Sequence, residues 1–79
     1  MQPDQWLAAF AREARAPAPD AEQVEQLLAL AGTAARASER TAAPITCWIA
    51  GRSELTLQQL LDAAGRLARE DAEGASSPR

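Results

Sequence analysis

The chain has 79 residues, eight basic residues (all Arg), eleven acidic residues, no His, one Cys and a net charge of −3. One small domain is the limit of that length, a disulfide or His-containing metal site within one chain is excluded, and the acidic balance opposes sequence-independent attraction to nucleic acid or anionic membrane. A quarter of the residues are Ala and strand formers are scarce, so the composition favours helix throughout.

The first predicted helix opens at Asp4 as N-cap, with Trp6, Leu7, Phe10, Ala11 and Ala14 forming one stripe at helical spacing. Ala16-Pro17-Ala18-Pro19 ends it as a proline-stiffened connector. Asp20 and Gln23 stand in capping-box positions for a second helix, whose apolar face is Val24, Leu27, Leu28, Ala31, Ala34 and Ala35. Gly32 inside it costs about 1 kcal/mol relative to Ala, which close packing on another helix would explain.

Residues 38–44 are the main break. Pro44 fits the first turn of a short third helix, where its missing N–H is no loss. Ile45, Trp48 and Ile49 are expected on that helix's inner face, with Gly51 as its stop. The fourth helix carries the clearest entry signal: Thr56 and Gln59 for a capping box, Leu55 and Leu60 for a hydrophobic staple. Leu57, Leu60, Leu61, Ala64, Leu67 and Ala68 then follow its period, and after Glu70 the composition turns polar. The expectation is an all-α, compact four-helix bundle with a short third helix over residues 1–71, and a disordered polar tail over 72–79. A core this short rarely supplies more than about 3–5 kcal/mol, which favours self-association or docking on a larger protein.

Chemistry-bearing patterns are few. Cys47 has no His anywhere in the chain to pair with, and a small buried cysteine is the reading it supports. The carboxylates Glu22, Glu25, Glu70, Asp71 and Glu73 read as solvated faces, so no catalytic, metal or cofactor site is expected. Glu54 to Gly65 resembles the opening of a helix-turn-helix, but too few apolar anchors follow for a recognition helix, and one continuous helix is the better reading. Arg52-Ser53-Glu54 lacks the Asp of the acyl-carrier-protein attachment motif and falls too late in the chain. Arg36, Arg40, Thr41, Thr46 and Arg52, with Trp48 beside them, surround the third helix as a candidate anion or partner site. Free N–H groups at a helix start and guanidinium forks suit a phosphate-bearing ligand, whereas dipole compensation by Arg36 and an ion pair of Arg40 would account for the same residues structurally.

Residues 40–51, Arg-Thr-Ala-Ala-Pro-Ile-Thr-Cys-Trp-Ile-Ala-Gly, resemble the Arg-x-Ala-Ala-Pro-x-Thr-x-aromatic-x-x-Gly signature of a small actinobacterial all-helical domain family of unknown function. Trp6-Leu7-Ala8-Ala9 and the Ala-rich run from Leu27 to Ala37 match its other features, so the likeness spans most of residues 4–69. Two departures stand out: the family often has a His near the end of its second helix, and a longer Gly-Leu-Ala-Ala-Gly run where Arg52-Ser53 follows Gly51 here. Members occur alone or attached to proteins similar to molybdenum-cofactor guanylyltransferases. The resemblance therefore implies a non-enzymatic accessory module near molybdenum-cofactor biosynthesis, with a cofactor enzyme as partner and molybdopterin or a guanine nucleotide as the phosphate-bearing ligand. A generic helical dimerisation or adaptor domain is the alternative, and a small transcriptional regulator a weaker one that the charge opposes. The N-terminus shows no secretory signal and no stretch approaches a membrane span, which predicts a cytoplasmic location.

Overall fold

A computed structural model describes residues 1–76, which form four helices and, among the described residues, no strand: α1 (Pro3–Ala14), α2 (Ala21–Ala37), α3 (Ala42–Arg52) and α4 (Leu57–Ser76). The all-α reading of the sequence holds. None of the described helices is long and apolar enough to cross a membrane.

Two of the four helix starts follow their capping signals directly. The Asp20 carboxylate accepts the Gln23 N–H at 2.8 Å while the Gln23 side chain accepts the Asp20 N–H at 2.9 Å. Thr56 and Gln59 repeat the exchange at 3.1 and 2.9 Å. α1 differs from expectation: Pro3 is its first residue and Gln2 its cap, with the Gln5 side chain accepting the Gln2 N–H, so Asp4 lies inside the first turn. Its end is a Schellman turn in which Arg15 takes the left-handed conformation (φ 57°), Arg15 N–H reaching Arg12 O and Ala16 N–H reaching Ala11 O.

α3 does not stop at Gly51. It continues to Arg52, and Ser53 closes it, donating its N–H to Ala50 O and accepting the Leu55 N–H on its hydroxyl. Gly65 lies within α4, so no helix-turn-helix forms. Of the expected polar tail, residues 72–76 continue α4, because Ala72 and Glu73 favour helix and the first obligatory breaker in the sequence is Pro78; residues 77–79 lie outside the described residues.

α2 is the centre of the molecule, with α3 and α4 packed against it. Leu30 and Ala50 are buried, whereas Leu28, expected on the inner face of α2, is exposed. The contact face of α2 is therefore rotated toward Leu27, Leu30 and Ala34. α1 lies along none of the other helices. The molecule extends 50 × 25 × 18 Å with a radius of gyration of 14.7 Å, against about 12 Å for a compact chain of this length.

Gly32 also departs from expectation. The nearest group a methyl there would meet is the Arg36 guanidinium of the same helix, at 3.0 Å.

Candidate interaction surface

The short side chains of α3 face inward. Ala50 is buried, Thr46 and Cys47 are half-buried, and the Cys47 thiol points at Leu27 O of α2 at 3.9 Å. That contact gives the lone cysteine a packing role. Ile45, Trp48 and Ile49 share the opposite face and keep 61%, 64% and 58% of their surface exposed. These three were expected on the inner face, and the structure inverts that assignment. The residues do share one face, as their spacing requires, but the small stripe is what approaches α2.

Arg52 extends this outward face by one more turn, its guanidinium carbon 4.9 Å from the Trp48 ring centroid. A cation over an exposed indole is worth about 0.5–1 kcal/mol. No other charged residue occurs in α3. The face is therefore apolar at its centre with a single positive charge at one end.

α1 repeats the arrangement. Trp6 and Phe10, one turn apart, stack with ring centroids 6.0 Å apart and an interplanar angle of 14°. Both are 57% exposed and Leu7 beside them is exposed too, while Ala8, Ala9 and Ala11 are the less accessible side chains. This stripe was expected to line the bundle core, and no residue of α1 is buried.

The structure does not bring Arg52 to the first turn of α3. Arg36 folds back along α2 over Gly32. Arg40 is exposed in the turn before α3, where its carbonyl accepts the Ala43 N–H, and Thr41 is the N-cap without a side-chain capping bond. Arg52 sits at the opposite end of α3, about 16 Å along the axis and beside the negative end of the helix dipole. Thr46 lines an open groove of about 380 Å³ between α2, α3 and α4. Small side chains such as Ala34, Ala42 and Ala64 line it, and the Thr33 hydroxyl there is taken up by Ala29 O. Ser38, Thr46 and Asp71 are its other polar residues, and none of the three arginines lines it.

Among the described residues no group of three or more Asp, Glu or Cys is placed to hold a metal ion. What the geometry defines is a small all-α domain with two outward apolar helix faces. The family described as a domain of unknown function (DUF6457) matches residues 1–77, and the chain belongs to it. No curated protein and no solved structure matches the chain.

Proposed function

We propose that this chain is a non-enzymatic, cytoplasmic interaction module whose working surface is the outward face of α3, supplemented by the aromatic face of α1. The observation that carries the reading is the inverted amphipathicity of α3: Ile45, Trp48 and Ile49 face solvent while Ala50 is buried. Contiguous apolar groups of that size on a helix surface favour being covered, and a tryptophan flanked by an arginine is the composition of an interface centre. The resemblance to domains attached to molybdenum-cofactor guanylyltransferase-like proteins makes such an enzyme the first heterologous partner to test.

The test is cross-linking inside host cells of the tagged chain and its Trp48→Glu variant. Because Trp48 is exposed within the chain, the variant retains the wild-type helical circular dichroism. The wild type is expected in cross-linked species larger than one chain, and the variant as the free chain. A variant that cross-links as the wild type does would overturn the assignment of the surface.

A further inference from the structure

Resting on that reading, we propose that the occupant of the surface is a second copy of this chain, with α1 of each copy laid over the outward face of α3 of the other about a two-fold axis. The first support is area. A compact monomer of 8.4 kDa exposes about 4,600 Å², whereas this chain exposes 6510 Å². The excess, about 1,900 Å² per chain, belongs to the elongated chain as a whole, and a contact of the roughly 1,000–2,500 Å² that each subunit of an obligate dimer buries would bring it toward the compact value.

The second support is the pairing of faces. Each chain carries two unlike apolar faces, Trp6–Leu7–Phe10 on α1 and Ile45–Trp48–Ile49 on α3, and neither is covered by its own chain. A two-fold axis matches each of these two faces to the other twice, with Leu28 and Leu67 remaining outside the contact, whereas a head-to-tail repeat of the same contact closes only as a ring or else runs on as a filament. The connector favours exchange between chains: after the left-handed Arg15, Pro17 and Pro19 stiffen the path from α1 into α2 and leave α1 alongside no helix of its own body. Apart from Arg52 over the Trp48 ring, the outward face of α3 carries no charge, so little ionic desolvation opposes the contact.

Sedimentation velocity of the purified chain, from micromolar to near-millimolar concentration, is the first measurement, and two chains per particle are expected. Phe10→Lys and Ile49→Glu, each alone, should weaken association about 10³-fold, since the axis makes each substitution count twice. Mixed in equal amounts, they should return to a particle of two chains, because one contact is then native and the other pairs Lys with Glu. The mixture scores the pairing even where a variant alone fails to fold. A wild type that stays a single chain at every concentration would overturn the second copy while leaving the Trp48 cross-linking result to stand by itself. A mixture that stays dissociated beside a dimeric wild type would overturn the α1–α3 pairing.

Discussion

Replacing Gly32 and Gly65 with Ala should make this protein more stable, and the structure bounds by how much. Both glycines lie in helix interiors, where Gly is about 0.8–1.0 kcal/mol less favourable than Ala. At Gly65 the added methyl meets only Arg69 Nη1 at 3.5 Å, an ordinary contact. At Gly32 it meets Arg36 Nη1 at 3.0 Å, which is tight, but that atom is the far end of an exposed and flexible side chain that can swing away. The nearest atoms in both spaces belong to arginine side chains, so the double variant should gain about 1.5–2 kcal/mol. For a domain of this size that is a rise in melting temperature of roughly 6–16 °C. Urea unfolding of wild type and variant at one protein concentration checks it, since association makes apparent stability concentration-dependent. A loss of stability in Gly32→Ala would show that a close backbone approach, and not the arginine, fills that space.

Thr56→Ala removes the acceptor of the Gln59 N–H at the start of α4 and should cost about 1 kcal/mol in the same assay. Millimolar inorganic phosphate or guanine nucleotide should leave the melting temperature unchanged, because Arg52 and Arg40 stand at opposite ends of α3; a rise with phosphate would mean that the arginines gather around an anion after all.

The helices were legible in the sequence because their boundaries are set by local chemistry. Asp20 with Gln23, and Thr56 with Gln59, exchange side-chain and backbone hydrogen bonds within four residues, and no distant contact is needed to place them. The start of α1 was misplaced by two residues because a glutamine pair around Pro3 does the work that Asp4 was expected to do. Facing was less legible. Periodicity says which residues share a side, and Ile45, Trp48 and Ile49 do share one. It does not say what covers that side, and α3 is apolar nearly all round, so its two stripes compete. Nearness in sequence also put Arg52 with Arg36 and Arg40 around one helix, but a helix of eleven residues is long enough to separate Arg52 from Arg40.

Side-chain size decides the competition between the stripes of α3. The surface of α2 that receives it is built from Leu27, Leu30 and a run of Ala, with the Cys47 thiol against Leu27 O. Small residues let two helix axes approach closely, and every backbone and side-chain atom along the seam then gains dispersion contacts. Rotating α3 to turn Trp48 toward α2 would take Ala50 and Cys47 out of the seam and give up the contacts they make there. Within one chain the packing of Ala50 and Cys47 therefore competes with the burial of Trp48. A second chain removes the competition, because its α1 can cover Ile45, Trp48 and Ile49 from outside while Ala50 and Cys47 keep their places. On this argument, enlarging the seam should act on the dimer as well as the monomer: Ala50→Leu, at a position now 7% exposed, should push α3 outward, destabilise the chain by about 1–3 kcal/mol and weaken association with it. Unfolding and sedimentation of that variant, measured together, should therefore move in the same direction. A destabilised chain with undiminished association would show that the outer face of α3 does not depend on the seam beneath it.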